Sequence, residues 1–392
     1  MKQLIVSILF LSAGFAATAQ SGYNAVLQQI EANNTSLSAL RQQTEVQKLG
    51  NRTGIYPANP EMEFNYLWGT PDPIGNRTDI TVKQSFDFPT AYIYRRKIAD
   101  LQNANAELAY KAERLNVLLA AKRICIELIY NNALAKEYAV RLQNAERIAV
   151  AYKTKLEKGE INILEHNKAQ LNFTAGQAEV AQIEAGQAAL LSELKRLNGG
   201  KEIIFSDNVY PANILPADFE NWYSAAETKS PVLQYVSGQI EIGKQQVKLN
   251  HALGLPKFSA GYMSEKIVGE HFQGITLGVS VPLWENKNRV KTAKAQVMTA
   301  ESALEDTKVQ FYNRLQILHL KASALQQNAQ KIRKSLSDYS NAPLLQRALD
   351  AGEISLLNYL LEIEYYYASI NKALEAELNY ELAVAELSAV EL

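Results

Sequence analysis

The side chains that most often catalyse reactions or bind metals are scattered along this chain of 392 residues. Its histidines, His166, His251, His271 and His319, have no second ligand at the spacing that metal sites require. No serine, histidine and aspartate constellation, nucleophile elbow or glycine-rich phosphate loop stands out from chance. The many Asp and Glu residues lie mainly on predicted helices, where pairing with Lys or Arg explains them. The sequence therefore predicts a protein that is not an enzyme and has no metal site and no cofactor.

The charge balance argues against a nucleic-acid partner, and the single cysteine argues against an internal disulfide. Lys and Arg total 40 and Asp and Glu total 41, which gives a formal net charge of -1. There is no basic tract, so a nucleic-acid partner has no support. Cys125 is the only cysteine. The chain therefore has no internal disulfide, and the expected role of Cys125 is that of a buried helix thiol.

The first residues have the order of a secretory signal peptide. Lys2 supplies a positive start, Leu4 to Leu11 form a short apolar run, and Ala17 to Ala19 provide small residues at a cleavage site. We therefore predict that residues 1–19 are a signal peptide, because the apolar run is too short for a comfortable membrane span. After it, no stretch reaches about 18 consecutive apolar residues, so no transmembrane helix is expected.

Two long segments have the composition and period of helices that pack on other helices. No proline occurs between Pro89 and Pro211, and the intervening sequence is rich in strong helix formers. Gly159 interrupts this stretch and can end one helix before a second returns. Residues from about 90 to 198 therefore predict a hairpin of two long helices. Its outgoing arm would be ~100 Å long at ~1.5 Å per residue.

The same pattern recurs in the second half of the chain. Residues from about 285 to 350 are helical in pattern, and helix is expected to resume after Gly352 up to Leu392. Gly352 to Ile354 repeats the sequence of Gly159 to Ile161. Pro343 is expected to kink the second outgoing arm. We predict an internal two-fold repeat, with a first unit at 20–203 and a second unit at 204–392.

A pair of predicted strands precedes each helical hairpin. Apolar and polar residues alternate over about 61–69 and 79–88 in the first unit, and over about 257–264 and 274–283 in the second. Residues 69–78 and 264–273 are expected to be the connecting loops. Each strand has about the length that crosses an outer membrane when it is tilted. Taken alone, this alternation also fits half-buried strands of a soluble β-sandwich.

If the predicted strands lie in a membrane, they must form a closed barrel together with the strands of other subunits. Four amphipathic strands cannot close a barrel, and an open sheet edge cannot face lipid. Three subunits would supply twelve strands, which is enough for a barrel with an open lumen. The aromatic residues Trp68, Phe88 and Trp284 lie at strand ends, where they suit the interfacial girdles of a barrel. The predicted fold class is therefore a mixed α/β membrane protein with long helical hairpins and a trimeric twelve-stranded outer-membrane β-barrel.

The order of these elements resembles the TolC-like outer-membrane efflux family over essentially the whole mature chain. Residues 352–360 resemble the tip motif of that family, and Val281 to Trp284 resemble its strand-to-helix junction. Residues 59–64 and 84–89 look most similar to the heavy-metal branch, the CusC- and CzcC-like proteins. The resemblance implies a homotrimer in outer-membrane lipid with a twelve-helix periplasmic tunnel. The tunnel would dock on a periplasmic adaptor (membrane fusion) protein and an inner-membrane pump of the RND type.

The resemblance also implies roles for particular residues. The hairpin tips would meet the adaptor through Gly159, Glu160, Gly352 and Glu353. Asn358 would face the lumen near the periplasmic entrance. In the family, two acidic positions close that entrance and bind cations, whereas the matching positions here are Asn358 and Leu361. An anionic gate is therefore not expected at these two positions.

The resulting hypothesis is a passive duct of a tripartite efflux system, which conducts heavy-metal cations or small toxic compounds. Transport would be driven elsewhere, because the chain has no nucleotide site. Two alternatives remain open from the sequence. One is the outer-membrane duct of a type I protein secretion system, and the other is a periplasmic coiled-coil scaffold without a pore.

Overall fold

The computed structural model describes residues 22–71 and 74–392, so the predicted signal peptide at 1–19 lies outside the described residues. The described residues form helices and one sheet. The strands are β1 (Glu61–Leu67), β2 (Arg77–Phe86), β3 (Lys257–Ile267) and β4 (Glu270–Ser280). The helices are α1 (Tyr23–Asn33), α2 (Thr35–Asn51), α3 (Pro89–Glu157), α4 (Ile163–Leu197), α5 (Phe219–Lys229), α6 (Pro231–Ala252), α7 (Arg289–Asp338), α8 (Ala342–Asp350) and α9 (Leu356–Leu387).

The long helices form where the sequence predicts them. α3 is one helix of 69 residues, and α4 follows it with 35 residues. Pro343 has a larger effect than the predicted kink, since α7 ends at Asp338 and α8 begins at Ala342. Proline fits the first turn of a new helix, where its missing N–H is not needed. α9 ends at Leu387, and a 3₁₀-helix at Ser388–Glu391 replaces the expected helix up to Leu392. None of the helices within the described ranges combines the length and apolarity that a membrane crossing requires.

The four strands form one antiparallel sheet in the order β1-β2-β3-β4. β3 and β4 extend further toward their connecting turn than predicted, because the expected loop at 264–273 lies largely within the ladder, whereas β4 ends at Ser280 and not near 283. Ile267 pairs with Glu270, so only Val268 and Gly269 connect the two strands. Gly269 has a φ of +83°, which a residue without a Cβ adopts without strain. β1 and β4 are the two edges of the sheet.

Contacts divide the chain into two compact units. The first contains Ala121–Asn213, Ile332–Leu378 and the described residues up to Asn33. Its core near the hairpin turns joins α3, α4, α8 and α9 through residues that include Ile148, Ala169 and Leu356. The second unit contains the sheet, together with helical cores such as the one around Tyr223 and Leu315. The division of the sequence into repeats at 20–203 and 204–392 remains a prediction.

Candidate functional site

One face of the sheet is apolar and exposed, and we call it the apolar sheet face. Cross-strand partners place its residues in rows, because opposed residues in neighbouring strands share a face. Ile275 and Leu277 on β4 have 81% and 82% of their surfaces exposed. Its apolar residues are Met62, Phe64 and Tyr66 on β1, Ile80, Val82 and Phe86 on β2, Phe258, Ala260 and Tyr262 on β3, and Ile275, Leu277 and Val279 on β4. Gln84 and Ser264 are polar residues that interrupt these rows. Such a contiguous exposed patch indicates a surface that meets another protein or a lipid.

The opposite face of the sheet is mainly polar and carries small residues, with Met263 and Phe272 as apolar exceptions near the β3–β4 turn. Arg77 Nε lies 2.8 Å from Asp79 Oδ1 and 3.1 Å from Glu265 Oε1, so one cation links two cross-strand carboxylates. A Cβ on Gly261 would lie 2.5 Å from the Val82 carbonyl oxygen. This part of the face therefore requires glycine. The alternation predicted from the sequence is thus present on all four strands.

The predicted interfacial aromatic residues lie at both ends of the sheet. Trp68 follows β1 and is exposed, at the end that also holds the Val268-Gly269 turn. Trp284 follows β4 at the opposite end and is also exposed. Phe88 lies at the same end as Trp284, but it is half-buried and its ring centroid is 6.3 Å from that of Phe258. Their role at a membrane interface remains a prediction.

The two hairpin tips are the same local structure. The Gly159 N–H donates to the Leu156 carbonyl at 2.9 Å, and the Glu160 N–H donates to the Lys155 carbonyl at 2.9 Å. This pair of bonds is a Schellman motif, and it requires a left-handed residue where Gly159 has a φ of +75°.

The second tip repeats every element of the first. Gly352 has a φ of +74°, its N–H donates to the Leu349 carbonyl at 3.1 Å, and the Glu353 N–H donates to the Ala348 carbonyl at 2.9 Å. In both tips the glycine and the following glutamate are exposed. Ile161 and Ile354 pack against the same apolar cluster, so the fold brings both tips together. The four predicted docking residues are therefore exposed, and their role in docking remains a prediction.

Asn358 lies on the exposed side of α9, as its predicted contact with a lumen requires. Its backbone N–H donates to Ser355 Oγ at 3.2 Å, which caps the first turn of α9, and the residue is exposed. The other side of α9 is anchored, since Leu356 and Tyr359 are buried in the cluster near the tips. Burial raises the pKa of Tyr359 to about 12, in keeping with its place in this apolar cluster. The orientation of Asn358 therefore follows from apolar packing behind it.

Sequence reasoning missed Arg141, which joins α3 to α9. Its guanidinium carbon lies 4.4 Å from the Tyr138 ring centroid and 4.3 Å from the Tyr367 ring centroid. Arg141 also donates from Nη2 to Asn371 Oδ1 at 2.9 Å. Burial lowers the pKa of the Arg141 guanidinium. The only sequence signal was Tyr138 three residues before Arg141 on one helix face, and that spacing is common on solvated helices.

Comparison with known proteins places this geometry in a known fold. No protein-family model matches the chain. The curated relative AprF of Pseudomonas aeruginosa, named as an alkaline protease secretion protein, is 21% identical over 328 residues. That match covers 77% of this chain and 66% of AprF, just under two thirds of the relative's length.

The solved structures are similar over nearly their whole length. CusC, described as a transmembrane channel, superposes with a TM-score of 0.77 at 12% identity, covering 93% of this chain and 91% of CusC. VceC, an outer membrane protein of Vibrio cholerae, superposes with a TM-score of 0.76 at 15% identity, covering 94% of this chain and 95% of VceC. The chain therefore has the fold of the TolC-like outer-membrane channels, and the resemblance noted in the sequence is confirmed for the fold.

Proposed function

We propose that this chain is one subunit of a trimeric outer-membrane channel of a tripartite efflux system. Its helical part would lie in the periplasm. The observation that carries the proposal is the apolar sheet face, which is broadly exposed in a sheet that also has two open edges. In water, a sheet with an exposed apolar face and open edges is prone to aggregate. In lipid, each unpaired backbone N–H or C=O group at its edges costs several kcal/mol.

Closure by neighbouring copies resolves both problems. If β4 of one copy pairs with β1 of the next, three copies close a barrel of twelve strands. The apolar sheet face then meets outer-membrane lipid, and the polar face lines an aqueous lumen. Trp68 and Trp284, at opposite ends of the sheet, would lie at the two membrane interfaces.

The hairpin tips supply the docking surface for the rest of the system. Gly159, Glu160, Gly352 and Glu353 would meet a periplasmic adaptor protein, which links the channel to an inner-membrane pump of the RND type. The conducted substrates would be heavy-metal cations or small toxic compounds, selected mainly by the pump. The solved channels of this fold support the proposal, as does the shared local structure of the two tips.

A second candidate is the outer-membrane duct of a type I protein secretion system. The similarity to AprF, which is named for protease secretion, favours it. The two functions differ in what a deletion strain loses. An efflux duct protects the cell from drugs or metals, whereas a secretion duct delivers a polypeptide to the medium.

Purified mature protein reconstituted in planar bilayers tests the shared claim of both candidates. We expect a detergent-extracted trimer that gives discrete single-channel currents, and a deletion strain with increased sensitivity to pump substrates. A detergent-free soluble monomer without currents would instead favour the coiled-coil scaffold. Unchanged susceptibility together with loss of one secreted protein would favour the secretion duct.

The Arg141 contacts predict how firmly α9 is held to α3. Arg141→Met keeps the side-chain length but removes the charge, the cation–π contacts and the bond to Asn371. We expect a local loss of about 2 kcal/mol and a higher open-channel conductance, because α9 carries the proposed entrance residues. Single-channel recording of the reconstituted trimer measures the change.

Arg147 provides the matched control for that substitution. It lies on the same helix, and its Nη1 is 3.4 Å from Asp350 Oδ1, with both side chains about half exposed. Exposed ion pairs contribute about 0–1 kcal/mol, so Arg147→Met is expected to leave the conductance near that of the wild type. Equal conductance in the Arg141→Met variant and the wild type would show that Arg141 does not restrain α9.

A further inference from the structure

We propose that a neutral apolar ring of Leu361 and Tyr365 closes the periplasmic entrance and leaves it insensitive to multivalent cations. The inference rests on the proposed function, since it requires three copies around a lumen. It concerns the residues that determine which solutes pass the entrance.

The packing of α9 determines which side of the helix is free. Leu356, Tyr359 and Ile363 have exposed fractions of 2%, 3% and 5%, and all three belong to the cluster near the tips. At about 100° per residue, these positions share one side of the helix. Asn358, Leu361 and Tyr365 lie on the opposite side, so the buried anchors point these three side chains away from the subunit.

Two large apolar side chains dominate that free side. Leu361 has 51% of its surface exposed and Tyr365 has 73%. They are four residues apart, which places them about 6 Å apart along the helix axis. With Asn358 one turn nearer the tip, each subunit presents a neutral amide followed by two apolar layers. Three subunits would therefore form two apolar rings, one above the other.

The nearby acidic residues do not occupy the middle of this free side. Glu362 lies on one flank and Glu364 on the other, and both are exposed. Asp350, near the tip, pairs with Arg147. A constriction lined by apolar side chains excludes water and ions by dewetting, whereas a ring of carboxylates binds cations. The residues on the free side of α9 favour the first kind of closure.

Single-channel currents of the full-length trimer in planar bilayers test the inference, with lanthanum chloride added on the periplasmic side. We expect the small residual current of the wild type to change less than about twofold, because no carboxylate ring binds the trivalent ion. Leu361→Asp creates three facing carboxylates and is expected to reduce the current on the order of tenfold with lanthanum. The double variant Leu361→Ser, Tyr365→Ser is expected to raise the conductance several-fold without lanthanum, because the dry layers become polar.

The variant Glu362→Gln tests the competing arrangement, in which a ring of Glu362 carboxylates lines the entrance. If lanthanum blocks the wild type and Glu362→Gln removes the block, the entrance is an acidic ring displaced by one residue and the apolar ring is wrong. Unchanged conductance in the double serine variant also overturns the inference, while the channel itself remains established by its currents. If wild type and all variants give no currents, the proposed channel function fails together with the gate.

Discussion

Gly352→Pro is expected to abolish efflux-dependent resistance while the trimer still inserts into the outer membrane. Proline holds φ near −65°, whereas Gly352 has a φ of +74°, and proline also removes the N–H that donates to the Leu349 carbonyl. The Schellman turn is then lost at a cost of about 3 kcal/mol or more. The damage stays near the tips, because the sheet belongs to the other compact unit. Complementation of a deletion strain and binding of the purified adaptor measure the loss.

Gly352→Asn is the matched control for the tip. Asparagine tolerates the left-handed conformation better than other side chains, and a Cβ at this position meets no atom within 4 Å. We therefore expect this variant to retain most of the resistance and adaptor binding. If Gly352→Pro supports full resistance in the same strain, the tip does not dock on the adaptor.

Leu277→Lys is expected to prevent stable insertion of the channel. Leu277 lies on the apolar sheet face, opposite Ala260 in β3, and is 82% exposed. A lysine near the middle of a lipid-facing strand costs about 2–4 kcal/mol, and a trimer carries the charge three times. We expect little trimer in outer-membrane fractions and loss of resistance. The amount of heat-labile trimer on gels reports the effect directly.

The neighbouring residue supplies the control. Thr276 points to the polar face and lies opposite Gly261, which has no side chain to crowd a lysine. Thr276→Lys is therefore expected to insert at normal levels and to alter only the conductance. Equal insertion of the two lysine variants would mean that the apolar sheet face does not meet lipid. The soluble sandwich would then be the better account of the strands.

The turns at the hairpin tips could be predicted from the local sequence alone. A Schellman turn involves six consecutive residues and requires a left-handed residue, so glycine after a run of helix formers predicts it. The turn between β3 and β4 was misplaced because local signals were misleading there. The largely polar residues around Val268 and Gly269 look like a long loop, but pairing with β2 and between β3 and β4 holds residues up to Ile267 and from Glu270 in strands. Pairing between distant segments outweighed local propensity there.

Contacts between side chains that are distant in the sequence were the features of the structure that the sequence predicted least well. Arg141 and Asn371 are far apart in the sequence, and nothing near either residue specifies the other. Arg77 and Asp79 are near neighbours on β2, but Glu265 joins them only through the pairing of β2 with β3. Charged residues on amphipathic segments look alike in sequence, whether they pair with a distant partner or with water.

The sequence alone therefore determined the two long helical hairpins, the alternation of the strands and the two matching turns. Each depends on residues a few positions apart, whose propensity and period act within one segment. The tertiary structure decided that the apolar residues of four strands form one exposed face and that α9 presents Leu361 and Tyr365 outward. Those features depend on strand register and on the cluster that anchors α9, and both join segments that are far apart along the chain.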